Sequence, residues 1–148
     1  MTRTDIRTNP ASGPFIAPAL LLALLCPGVA LAQTAPASSA SPAFRQAIPN
    51  IPGKSIVAVV VTYPPGGKSL PHRHAASAFI TGYVLSGAVR SQVDDGPVQV
   101  FQAGENFFEA PGSHHRVSEN ASATEPAKLL AIFVVDSSET TLTTIDKP

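Results

Sequence analysis

Cysteine is nearly absent, since the 148-residue chain holds one, Cys26. It lies in an N-terminal segment read below as removable, so the mature protein carries no thiol. Disulfides, thiolate metal ligands and a cysteine nucleophile are thereby excluded. An excess of charge of either sign is missing too. Ten basic residues balance ten acidic ones, with no basic patch suited to nucleic acid and no acidic run. Long helical periodicity is lacking. Ser86, Ser91 and Ser113 have no base at a motif spacing, which leaves serine hydrolase chemistry without support.

What is present begins with an export signal. Arg3 and Arg7 supply a positive leader, Phe15 to Leu25 is an apolar run broken only by Pro18, and Ala30-Leu31-Ala32 is the small-x-small pattern of a cleavage site. The cut is placed before Gln33, making residues 1–32 a signal peptide. Leu25 ahead of Cys26 argues against a lipid anchor; the length of the leader and Pro18 leave an uncleaved anchor as the alternative, but the apolar run is short for a bilayer span, which favours cleavage. The expected location is the periplasm or the exterior, with no membrane attachment after cleavage. Removing 32 of 148 residues leaves 116, enough for one domain and too few for two. The leader takes Arg3, Arg7 and Asp5, so eight basic residues face nine acidic ones and the net charge is −1. Residues 33–43, rich in Ala, Ser and Pro, read as a flexible linker, and residues 44–148 as the folded domain.

Within that domain, short β-branched or aromatic runs alternate with Gly, Pro and Asp turns. Strands are expected at Ile56 to Tyr63, Phe79 to Leu85, Ala88 to Val93, Val98 to Phe101, Asn106 to Glu109, His115 to Glu119 and Leu129 to Val135. Asp94-Asp95-Gly96 and Ser86-Gly87 have hairpin-turn chemistry. This spacing predicts an all-β sandwich or barrel. Phe79, Phe101, Phe107, Phe108 and Phe133 are assigned to its core.

The chemistry lies in His72-Arg73-His74 and, further on, Pro111-Gly112-Ser113-His114-His115. Two histidines one residue apart on an extended segment face the same side. A third from elsewhere completes a nitrogen site for a transition metal, and His115 is the candidate. Arg73 alternates outward. His114 should point away from His115, toward the surface or a contact behind the ligands.

These residues resemble the cupins, whose double-stranded β-helix (jelly-roll) barrels carry two short motifs. Gly66, His72, His74 and Gly87 stand at the first motif's positions, and Gly104, Gly112 and His115 at the second's, with Pro111 one place after the usual proline position, held here by Ala110. The resemblance spans Lys54 to Val135. It departs from the family at the first motif's glutamate, where counting places Ala78, Phe79 or Ile80, and no acidic residue occurs between His74 and Asp94. The stretch from Ala78 to Gly87 is also longer than the motif, which implies an insertion or a bulge beside the site. Glu119 occupies the place of the second motif's asparagine and shares strand parity with His115, but four strand residues span about 13 Å, too far to share one ion. Glu109 is a candidate for the mouth of the cavity, Glu119 for the cavity or its rim, and Tyr83 for reaching inside.

The resemblance implies a three-histidine site for a divalent transition metal (Fe, Mn, Zn or Ni) with open positions for water or a small-molecule substrate. Three function classes follow. One is an exported metal-dependent oxygenase of the dioxygenase type. Another is a non-catalytic periplasmic barrel that binds or senses a metal or small molecule, and the third is a cupin-type isomerase or lyase. The family resemblance also implies a homodimer, with Ile48 to Ile51 as the segment to cross a neighbour.

Overall fold

The computed structural model describes residues 35–147. The leader, Cys26 and the cleavage point before Gln33 lie outside the described residues.

Two long apolar runs form the backbone of the fold. Strand β2 (Lys54–Tyr63) and strand β9 (Ala127–Asp136) pair antiparallel over their full length, from Lys54 opposite Asp136 to Tyr63 opposite Ala127. In β9, residues at alternate positions are buried, so Ala127, Leu129, Ala131, Phe133 and Val135 point inward. Strands β4 (Phe79–Ser86) and β7 (Asn106–Glu109) extend this sheet on one side and β1 (Ser39–Ala47) on the other, giving the order β1-β2-β9-β4-β7. A second antiparallel sheet runs β10-β3-β8-β5-β6, from β10 (Thr143–Ile145), β3 (His72–His74), β8 (His114–Asn120), β5 (Ala88–Val93) and β6 (Gln99–Gln102). The two sheets enclose a jelly-roll barrel, the expected fold class.

Two apolar clusters fill the interior. Val57, Ala78, Ile80, Ala131, Phe133 and Val135 form one. Tyr63, Val84, Val89, Phe107, Ala127 and Leu129 form the other.

Several sequence expectations are corrected. The segment read as linker is hydrogen-bonded rather than free: Ala37 bridges Lys68, and Ser39 to Pro42 pair with β2 as the start of β1. Every residue of β1 is exposed, so backbone pairing and not hydrophobic burial holds it, which is why composition alone did not reveal it. Ser86-Gly87 is not a hairpin, because β4 and β5 lie in different sheets. Gly87 instead carries the chain between them at φ 69°, where a side chain would strike the Pro126 carbonyl at 2.6 Å. Phe79 and Phe108 are not core; they stack on each other at 5.9 Å outside the barrel.

Candidate metal centre

His72 and His74 are buried while Arg73 between them is exposed, the alternation of an extended strand. His72 sits directly opposite His115 in the β3–β8 pair, so backbone pairing alone brings two imidazoles together. The third follows by strand geometry, and the His74 backbone N–H is anchored to the Ser113 carbonyl at 3.0 Å. One nitrogen from each ring lies within 4.8 Å of the others. Ring centroids are 4.9 Å apart for His72–His74 and 5.1 Å for His72–His115.

The apolar clusters hold the rings from both ends. Phe133 meets His74 edge-on at 5.6 Å and Phe107 meets His115 at 5.8 Å. His72 Nδ1 donates to the Leu70 carbonyl at 2.7 Å, which turns Nε2 inward with its lone pair free. His74 Nδ1 lies 3.4 Å from Thr143 Oγ1, again leaving Nε2 inward. His115 Nε2 is 2.9 Å from Ser91 Oγ.

A carboxylate completes the cluster. Glu109, at the end of β7, is 3 % exposed; its Oε2 lies 3.1 Å from His74 Nε2 and its Oε1 3.4 Å from His115 Nδ1. Sequence reading placed Glu109 at the cavity mouth, whereas it stands at the centre. The signal was available in the alternation of β7: Phe107 faces inward, so Glu109, two residues on, does so as well.

Burial, aided by the neighbouring His72 and His74, pushes the His115 imidazole down to about 4, against the opposing pull of Glu109. Burial likewise lowers His72, with His74 adding to the effect. For Glu109, burial alone would raise the carboxyl, but contact with His74 and the positive charge available on His115, His74 and His72 outweigh it and hold the group below its ordinary value. At neutral pH the site thus offers neutral imidazoles at His72 and His115 and an ionised carboxylate, the protonation state that ligation requires.

These residues fit a metal ion. His74 Nε2 is the one buried side-chain nitrogen or oxygen among the described residues that makes no hydrogen bond. Glu109 Oε2 lies 3.1 Å away without completing a hydrogen bond to it, and a buried imidazole nitrogen without a partner is costly unless a cation fills its lone pair.

The other expected residues fall elsewhere. Tyr83 is 40 % exposed on the outer face of β4 and does not enter the cavity; the buried tyrosine is Tyr63, whose hydroxyl meets Ser118 Oγ at 2.8 Å. His114 faces away from the cluster, with Nε2 2.6 Å from Asp146 Oδ2. Glu119 turns outward to Arg90 at 2.6 Å. The cause is a bulge in β8: Gln92 pairs with Val117 and Val93 with His115, so Arg116 is an extra residue and parity inverts beyond it. Asn120 thereby takes the inward position, where its amide donates to the carbonyls of Pro64 at 3.0 Å and Glu125 at 2.7 Å. The bulge expected in β4 lies between Val84 and Ser86, at the far end of the strand from the histidines.

Beside His72 opens a cavity of about 610 Å³, lined chiefly by apolar side chains including Val59, Val61, Leu70, Phe133 and Leu142. The exposed Lys68 stands among its lining residues.

The cupin domain family model matches residues 59–133, half of the chain. The chain belongs to the cupin family. Solved structures share the fold at low identity. A double-stranded β-helix protein from Klebsiella pneumoniae is 22 % identical with a TM-score of 0.57, over 74 % of this chain and 85 % of that one. An oxalate decarboxylase from Lactobacillus farciminis, in a formate complex, is 22 % identical with a TM-score of 0.52, over 61 % of this cupin and 26 % of that chain. The DMSP lyase DddQ from Ruegeria pomeroyi is 21 % identical with a TM-score of 0.51, over 61 % of this cupin and 42 % of that chain. No curated protein matches this cupin significantly.

Proposed function

We propose that this cupin is an exported metalloprotein that binds one divalent transition metal through His72, His74 and His115 and acts there, as a dioxygenase-type oxidoreductase, on a small molecule held in the adjoining cavity. The observation that carries the metal reading is the cluster of three buried histidines with the unpartnered Nε2 of His74 among them. Export rests on the leader, with its basic start, apolar run and Ala30-Leu31-Ala32 site.

When bound, the ion supplies Lewis-acid polarisation and, if it is iron, an electron exchange with oxygen. The protein supplies the rest. His72 is locked in one tautomer by the Leu70 carbonyl, which fixes its ring before any ligand arrives. Phe133 and Phe107 pack against the imidazoles and exclude water from their flank. The apolar cavity beside His72 favours a substrate with a hydrocarbon body, while Lys68 favours an anionic group at one end.

A lyase reading is the runner-up, supported by the structural likeness to a DMSP lyase. Pairing of two copies is supported by the outer face of β4 and β7, where Phe79, Tyr83 and Phe108 are exposed together.

The test is elemental analysis of the mature protein purified without chelators or a histidine tag, beside a folded His72→Ala/His74→Ala variant. About one transition metal per chain, lost in the variant, is expected, followed by oxygen uptake with small acidic substrates when the metal is iron. Absence of metal from the wild type even after reconstitution overturns the metal reading. Turnover without oxygen consumption overturns the oxygenase in favour of the lyase.

A further inference from the structure

We infer that Glu109 is a direct ligand of the metal, so that the centre is a three-histidine, one-carboxylate site assembled from both sheets. This rests on the metal-binding reading above and extends it.

Three observations converge. The first is spacing. Two donor atoms held by one ion at about 2.1 Å each stand about 3.0 Å apart at octahedral angles and about 3.4 Å apart at tetrahedral ones. Glu109 Oε2 stands 3.1 Å from His74 Nε2 and Oε1 stands 3.4 Å from His115 Nδ1, so each carboxylate oxygen lies at such an edge length from one of the histidine nitrogens.

The second is the environment of the carboxylate. Glu109 is 3 % exposed, and among the described residues neither lysine nor arginine pairs with it. Its remaining polar contact is the Ser113 hydroxyl, at a long 3.4 Å. A carboxyl group so far removed from water, with no basic side chain beside it, is a place where a cation is strongly favoured. A divalent ion among the histidines supplies one, and the same ion satisfies the lone pair of His74 Nε2.

The third is position in the sheet. Ile80, one of the residues standing where the first motif's glutamate is missing, is paired directly with Glu109 across the β4–β7 ladder. Both are buried on the inner face. Directly opposed residues on one face have Cβ atoms about 5 Å apart, and a long glutamate spans that offset. A carboxylate lost from β4 is therefore replaced from β7 at nearly the same point of the cavity. The ion then faces three neutral donors and one negative one, which holds it more tightly than imidazoles alone.

The experiment uses the full chain. Metal-free wild type, Glu109→Gln and Glu109→Asp are titrated with cobalt(II), following the visible absorption of the ion and competition with a chelator, while circular dichroism checks the fold. In parallel, anomalous diffraction from cobalt-loaded wild-type crystals locates the ion relative to Glu109. A cobalt–carboxylate distance near 2.1 Å, with affinity at least a hundredfold weaker in Glu109→Gln and partly restored in Glu109→Asp, is the expected result. An ion bound by the three histidines but more than 3 Å from both Glu109 oxygens overturns the inference even if affinity falls, since it makes Glu109 a positioning residue acting through His74. Equal affinities for wild type and Glu109→Gln overturn it as well and leave the three-histidine site standing. Failure of the wild type to bind cobalt overturns both readings.

Discussion

Ile80 and Glu109 face each other across the β4–β7 pair, both buried against the barrel interior. The isoleucine packs with Phe133 and Val135, while the glutamate reaches His74 and His115. One ladder position thus joins the hydrophobic core to the polar centre. Its two residues divide the work, an apolar wall on one strand and the site's negative charge on the other.

Metal removal should destabilise the protein. A ligand that binds only the native state adds about 2.7 kcal/mol when present at a hundredfold over its dissociation constant. Chelation is expected to lower the melting temperature of wild type by several degrees and to leave His72→Ala/His74→Ala unaffected. Equal chelator responses in the two proteins would count against the site.

The metal-free protein should lose stability in mild acid. His115 has an ordinary value of 6.5 and is held at about 4 when folded, so the unfolded chain binds the proton first as pH falls. The contribution is complete above about pH 6.5 and is lost as pH drops to about 4, amounting to about 3 kcal/mol from this group. His72 and Glu109, both lowered on folding, act in the same direction. Urea unfolding of metal-free protein at pH 7 and pH 4.5 measures the loss. A stability independent of pH across that window contradicts the assignment.

Gly82→Ala should damage the site from a distance. A Cβ at residue 82 would stand 2.5 Å from the Phe107 ring, which is wedged between Phe101 and His115. Overpacking of this kind costs about 1–3 kcal/mol. A lower urea midpoint together with weaker metal binding is expected, and an unchanged midpoint would show that the ring moves aside freely.

Asn120→Ala should be costly although Asn120 makes no contact with the histidines. Its amide nitrogen donates to the carbonyls of Tyr63, Pro64 and Glu125, and its Oδ1 accepts from the Ser122 backbone. Truncation removes these bonds at a buried residue and leaves mostly part-buried carbonyls without this partner, at about 1–3 kcal/mol in all. Denaturant titration checks this, with Glu119→Ala as the comparison. Glu119 pairs with Arg90 at a partly exposed position, so its removal should change stability by less than about 1 kcal/mol.

The amino-acid sequence by itself determined the barrel and most of its candidate metal site. Alternation and β-branched runs placed seven strands within a few residues of their observed limits, because burial of one face repeats every second residue and is written locally. His72 and His74 were legible for the same reason, and His115 through the motif around Gly112. Only the tertiary structure decided the remainder. Strand β1 buries no side chain and is held by its neighbour's backbone, which leaves no hydrophobic pattern to read. The extra residue at Arg116 inverts parity in β8, sending Glu119 outward and Asn120 inward, and its presence depends on the register of the adjacent β5. Glu109 joins the histidines because β7 and β3 lie in opposite sheets that close over one cavity. Alternation in β7 turns Glu109 inward, but its meeting with the histidines arises from packing between sheets, which spacing along a single chain does not encode.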